Sequence, residues 1–258
     1  MRIFRQLARA KKKLAYKSTT AKLPQHNDFY VVEFPKSGIT WLSALLANMA
    51  LIESGRREVA SFNSAHLYVP DIHISRTIGA VAYASPPVRF IKSHARFNGN
   101  YIFVIYLVRH PLDVMKSSYR FNRESHGDIF GSFSDFCKSK KHGVTAWKSH
   151  VDSWLVGRVL AQRLHLVRYE DLLENAVQEL KSISDNFGWN ISDATLERSV
   201  DLSSMMSMKK NETLARARNP RYSMTFIGGL NDFEVRADTV EFVQDACTSQ
   251  LRMLGYME

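Results

Sequence analysis

Apolar and polar positions follow two different periods along this chain, and the switches between them mark its elements. Phe29 to Phe34 is a short β-rich run closed by Pro35; after a turn of Lys, Ser and Gly, a helix-like run without proline or glycine extends from Thr40 to Glu53. Val88 to Ile91 predicts a second short strand, leading into Lys92, Ser93 and His94. Tyr101 to Val108 is nearly all apolar, as expected for a strand covered on both faces of a parallel sheet. Arg109-His110-Pro111 punctuates it, and Pro111 opens a helix through about Phe121, because proline is tolerated in a first turn. A short helix is expected at Phe133 to Lys140. A longer one, Ala146 to Leu160, carries Trp147, Val151, Trp154 and Leu155 on one face. Leu164 to Val167 reads as a last short strand. Helical patterns then run, with an interruption, from Tyr169 to Phe187 with Gly188 as the stop, at Asp193 to Val200, at Leu202 to Asn211 and at Ala237 to Leu254. Strands alternating with helices predict the α/β class: a single domain over residues 29–258, its central parallel sheet flanked by helices, behind an arm of residues 1–28.

The first strand, its small-residue turn and the following helix form a P-loop-like geometry that aims free backbone N–H groups at an anion. Lys36 and the hydroxyls of Ser37 and Thr40 add charge and donors at the same spot. A phosphate or sulfate is therefore expected at the start of that helix. The connection from Gly55 to Pro87 holds polar clusters such as Val69-Pro70-Asp71-Ile72-His73 and is long enough to line a site or lid it.

Composition narrows the partners. Of the net charge of +10, eight units sit in residues 1–24, which carry no acid, so the rest of the 258-residue chain is nearly balanced. Such a basic arm suits a peripheral contact with an anionic membrane, with nucleic acid or with an acidic acceptor, and equally a solvated tail that aids solubility. No apolar run reaches the roughly 18–20 residues that span a bilayer. No apolar core follows the basic start, so a secretory signal is not expected. With only Cys137 and Cys247, a disulfide framework is not expected and a cytoplasmic setting fits. No His, Cys or Asp cluster has metal-ligand spacing, so no metal is expected.

The nucleotide-triphosphatase loop G-x-x-x-x-G-K-[ST] is not matched, because Lys36 precedes Gly38 by two and no upstream glycine exists. Phe34-Pro35-Lys36-Ser37-Gly38-Ile39-Thr40-Trp41 instead closely resembles the 5′-phosphosulfate loop of sulfotransferases, which use 3′-phosphoadenosine 5′-phosphosulfate (PAPS) and leave 3′,5′-adenosine bisphosphate. The order of further matches is that of the same family. Arg109 to Ser117 is similar to its second loop, in which an arginine, and a serine eight residues on, grip the 3′-phosphate. Arg168-Tyr169-Glu170-Asp171-Leu172 is similar to the segment whose tyrosine reaches the adenosine. Ser203 to Lys209 resembles the segment that closes over the adenine. The resemblance implies that Ser37, Gly38, Ile39, Thr40, Ser203 and Gly228 help to bind the donor. It further implies that Trp41 stacks on the adenine and that Met205 takes the place of a usual phenylalanine, a thioether against a π-face.

Sulfuryl transfer to an alcohol needs the acceptor oxygen deprotonated as it attacks sulfur, a step suited to a histidine. His94 matches the family's Lys-x-His, which implies His94 as the general base, Lys36 at the oxygen bridging sulfur and the 5′-phosphate, and Lys92 at the sulfuryl oxygens. Ser117, bound to the 3′-phosphate, is also implied to restrain Lys36. Two departures stand out. Ile39 occupies a usual threonine position. The family's basic pair before its glycine near the C-terminus is missing at Phe226-Ile227-Gly228, leaving Arg216, Arg218 or Arg221 to supply that charge from a nearby loop. The acceptor is expected to be a hydroxyl compound, a small alcohol or phenol or a sugar, shaped by residues 55–87, 120–145 and 213–225. No nucleic-acid partner is expected, and the sequence carries no code for an oligomer. The rival readings are a P-loop-type small-molecule kinase using ATP and a basic nucleic-acid or membrane-surface module.

Overall fold

The computed structural model describes residues 27–73, 83–99, 101–127, 129–160, 163–218 and 233–258, so nearly all of the basic arm lies outside it. Among these residues the sheet has four strands: β1 (Asp28–Glu33), β2 (Arg89–Ser93), β3 (Phe103–Val108) and β4 (Arg163–Arg168). They pair in the order β2-β1-β3-β4, all parallel, with Val32 opposite both Ser93 and Tyr106 and with Val108 opposite Arg168. The helices are α1 (Ile39–Glu53), α2 (Ala65–Tyr68), α3 (Pro111–His126), α4 (Phe133–Lys138), α5 (Val144–Leu160), α6 (Tyr169–Glu174), α7 (Ala176–Phe187), α8 (Asp193–Leu202), α9 (Met205–Arg218) and α10 (Ala237–Met253).

The period of two in β1 and β3 sorts the core into two layers. Phe29, Val31, Ile105 and Leu107 face α1, α7 and α8, whereas Tyr30, Val32, Val104, Tyr106 and Val108 face α3, α4, α5 and α10. From Trp41 to Leu51 every residue of α1 is buried. A helix that is apolar all round must be covered all round; the sheet covers one side, and α8 and α2 lie against it as well. Gly188, at φ 71, ends α7 as expected. Most predicted boundaries shift by a residue or more, and three of the shifts bear on the site. β2 takes in Lys92 and Ser93, α3 continues past Phe121 to His126, and α9 runs on to Arg218, so Arg216 and Arg218 lie on a helix rather than a loop. Cys137 and Cys247 are free and buried. No helix among the described residues is long and apolar enough to cross a membrane.

One polar residue in the apolar helix α1 ties distant segments to it. Asn48 is fully buried; its amide nitrogen donates to the Ala60 carbonyl (2.9 Å) and to the Ser203 hydroxyl (2.8 Å), and its oxygen accepts from the Ala60 N–H (2.7 Å). The start of the long connection and the α8–α9 junction are thereby pinned to one side chain. Asn48→Ala strands the buried N–H and carbonyl of Ala60, and each orphaned group is expected to cost about 1–3 kcal/mol. Urea unfolding should show a lower midpoint with an unchanged slope.

Candidate anion-binding and transfer site

The parallel strands end on one edge, and the chain leaves β1 between neighbours reached on opposite sides, the position where α/β sheets open a crevice. The turn from β1 into α1 is built around Glu33, which is 3% exposed. Its carboxylate accepts from the backbone N–H of Lys36 (3.2 Å) and of Ile39 (2.8 Å). The Ser37 N–H and hydroxyl both donate to the Phe34 carbonyl, at 3.2 and 2.8 Å. The chain reverses only by placing Lys36 at φ 81 and Gly38 at φ 112. A left-handed conformation is costly for a residue with a side chain, and such strain concentrates at functional turns. Gly38 is required twice over: a Cβ there would also lie 2.5 Å from the Tyr169 ring. Gly38 brings no capping side chain to α1; Glu33 takes the Ile39 N–H and the Gly38 carbonyl takes that of Trp41, which leaves the Thr40 N–H at the helix start for a ligand.

A cleft of about 480 Å³ opens above this turn. Lys36, Gly38, Ile39, Thr40 and Trp41 line it from the first loop, Lys92 and His94 from the end of β2, Arg109 and Ser117 from the second loop and α3, and Tyr169 and Met205 from the remaining matched segments. Five segments separated in sequence thus bring eleven of the predicted residues to one cavity. Two of the expected residues sit back from the cleft wall. Ser37 is fully buried and bonded back to Phe34, so it shapes the loop instead of facing the cleft. Ser203 is also fully buried, its hydroxyl accepting from Asn48 and its carbonyl accepting from the Trp41 indole N–H (2.8 Å); it positions Trp41 from behind. The free loop N–H groups are fewer than expected because Glu33 takes two of them. Gly228 and Arg221, and the side chains of Arg216 and Arg218, lie outside the described residues.

Aromatic contacts set the remaining groups. The Arg109 guanidinium lies over the Tyr169 ring at 4.4 Å, and Trp41 meets the same ring edge-on at 6.0 Å. The Lys36 ammonium rests 4.4 Å from the centre of the Phe121 ring, one turn along α3 from Ser117. The second loop is held by Glu170, which accepts from the His110 N–H (2.9 Å) and from the Tyr256 hydroxyl (2.6 Å).

Asp71, Glu33, His73, Phe62, Phe121 and Met208 also line the cleft and were not among the expected site residues. Asp71 arrives because the connection zips onto the edge of β2: the Lys92 N–H donates to Pro70 and the Ile72 N–H to Lys92. Its carboxylate lies 3.5 Å from His94 Nε2 and 3.9 Å from Lys92 Nζ. On the other side of the ring, His94 Nδ1 is 3.4 Å from the Glu33 carbonyl and 3.8 Å from its carboxylate. The only sequence signals were an acid closing an apolar strand and a polar cluster in the long connection. Burial alone would raise the Asp71 pKa, but hydrogen bonds from His94 and the His73 N–H, with the charge of Lys92, hold it below the ordinary carboxylate range. Burial pushes Lys36 down from 10.5 to about 8, with the charges of Arg120 and Lys92 adding to the effect and Glu33 opposing it.

The family profile described as Sulfotransferase domain matches residues 26–231. Sulfotransferase 1B1 of Mus musculus is 30% identical over 200 residues, covering 71% of this chain and 66% of that protein. Sulfotransferase 1A1 of Rattus norvegicus is 27% identical over 202 residues, 72% of this chain and 68% of that protein. The matched stretch therefore spans about two thirds of these relatives' lengths. Among solved structures, mouse sulfotransferase SULT7A1 complexed with PAP has a TM-score of 0.64 at 18% identity, over 92% of this chain and 89% of that one. Retinol dehydratase with androsterone and inactive cofactor PAP has a TM-score of 0.65 at 16% identity, over 92% and 85%. At these identities the structural likeness speaks for the fold.

The lowered Lys36 pKa has a signed consequence. Between about 8 and 10.5 the unfolded chain holds a proton that the empty folded site does not, so stability of the unliganded protein rises with pH in that window. An anion bound at Lys36 restores the charge. Affinity for 3′,5′-adenosine bisphosphate should therefore fall as pH climbs past about 8, with proton uptake on binding seen by calorimetry in buffers of different ionisation heat. Lys36→Met should abolish the uptake.

Proposed function

The chain belongs to the sulfotransferase family, whose sulfuryl donor is PAPS, and on that premise we propose that it transfers a sulfuryl group from PAPS to a hydroxyl acceptor by in-line displacement, with His94 as the general base. The observation that carries this reading is that Lys36, Lys92 and His94, at the ends of two paired strands, line one cleft with Arg109 and Ser117. A cleft of this size is in the range of ordinary small-molecule sites.

The acceptor oxygen attacks sulfur as its proton passes to His94, the bond between sulfur and the bridging oxygen breaks, and 3′,5′-adenosine bisphosphate leaves with that oxygen. Lys36 neutralises the charge growing on the bridging oxygen, and Lys92 faces the sulfuryl oxygens. Arg109 and Ser117 hold the 3′-phosphate, and Trp41, Tyr169, Met205 and Met208 enclose the base. As in phosphoryl transfer, positioning and charge neutralisation do most of the work. A neutral His94 keeps its hydrogen bond to only one of its two facing oxygen groups and offers the other nitrogen to the acceptor proton. Asp71 and Glu33, one on each side of the ring, hold the imidazole in place for that step.

Calorimetry separates this reading from a kinase. Binding of 3′,5′-adenosine bisphosphate without Mg²⁺, and tighter than ATP, is expected; preference for ATP with Mg²⁺ would overturn it. His94→Ala should lower kcat by roughly 10²–10⁴. Its affinity for the bisphosphate should change little, and full retained transfer would remove His94 from the base role.

A further inference from the structure

A second cavity, of about 640 Å³, meets the donor cleft at Pro35, Lys36, His94 and Phe121, so it opens onto the atoms assigned to the chemistry. Its walls are of two kinds. Phe34, Phe121 and Phe136 give it an aromatic interior, while Arg96, Lys140 and Lys141 stand at its exposed side. Among the described residues no aspartate or glutamate lines it. Among the described residues neither lysine has a carboxylate partner, and Arg96 donates only to the carbonyl and hydroxyl of Ser149.

Two adjacent exposed lysines are usually only a solvated surface. Here the turn that carries them is built. The Gly143 N–H donates to the Ser139 carbonyl at 2.8 Å and the His142 N–H to the Ser139 hydroxyl at 3.3 Å. A Cβ at Gly143 would fall 2.2 Å from the Cys137 carbonyl oxygen, so the chain closes that tightly only around glycine. The cavity also holds an unspent polar group. His150 is 3% exposed, its Nδ1 is 3.2 Å from the Tyr106 hydroxyl, and its Nε2 has no hydrogen-bond partner. Burial drives its pKa down to about 3, with the charges of His94 and Arg96 adding to that, so it meets a ligand as a neutral imidazole.

Resting on the transferase reading above, we infer that the acceptor is an organic anion: an alcohol or phenol whose hydroxyl lies at His94, whose apolar body fills the space among Phe34, Phe121 and Phe136, and whose carboxylate-class group meets Lys140, Lys141 and Arg96. A neutral acceptor gains nothing from three like charges gathered at the mouth, whereas an anionic one is steered in and oriented by them.

The test uses matched pairs: ω-hydroxyalkanoates and 4-hydroxyphenylalkanoates, each beside its methyl ester, titrated by calorimetry into protein saturated with 3′,5′-adenosine bisphosphate. This dead-end complex reports acceptor binding without turnover. For at least one pair the acid should bind about tenfold or more tightly than its ester, with the advantage shrinking at high salt. Lys140→Ala with Lys141→Ala should bring that ratio close to one without weakening the bisphosphate. Esters binding as well as acids throughout, or an acid preference that survives the double substitution, would overturn the inference. Failure of the bisphosphate itself to bind would instead sink the transferase reading, so the two failures are distinguishable.

Discussion

A buried carboxylate at the end of the first strand governs the geometry of everything around it. Glu33 holds the N–H groups of Lys36 and Ile39 at once, which forces a strand to become a helix within five residues. Left-handed backbone at Lys36 and Gly38 is the conformational cost, and the Tyr169 ring packed on Gly38 over-determines it. The same carboxylate faces His94, so the group that shapes the loop also stands beside the imidazole. Lys36 is left half-buried, with a pKa low enough that its charge depends on what is bound beside it.

The second organising feature is the support behind the cleft. Asn48 gathers the start of the long connection and the α8–α9 junction onto α1, and Ser203 in turn fixes the Trp41 indole. Neither Asn48 nor Ser203 lines the cleft. They set the wall against which a planar base can lie, and their satisfied hydrogen bonds make an otherwise apolar helix specific about its neighbours.

What could be read before any coordinates were known follows from how local each determinant is. The parallel α/β sheet was legible because apolar strands such as Tyr101 to Val108 announce burial on both faces. The loop at Lys36 to Trp41 was legible because a few adjacent residues dictate its chemistry. Arg109 with Ser117 was legible because their spacing lies along a strand end and one helix. Asp71 was not, since it reaches His94 only when the connection adds a bridge to the edge of β2, a tertiary event with no local signature. Ser37 was assigned to the ligand for its hydroxyl and Ser203 through the resemblance of its segment, and in the fold the first bonds back to Phe34 while the second accepts from Asn48. The helix boundary at Asn211 was missed for a simpler reason: Glu212 to Arg218 has no breaker, so α9 carries on.

Tyr256 gives the loop that follows β3 an unexpected kind of dependence. Its hydroxyl grips Glu170, 86 residues earlier, and Glu170 in turn holds the backbone beside Arg109. During synthesis, β1, its loop and the arginine all leave the ribosome well before Tyr256 does. The turn after β1 and the arginine are thus made before the residue that sets the register of the loop beside them, so that loop takes its final form only once a distant, later-made segment has folded onto it.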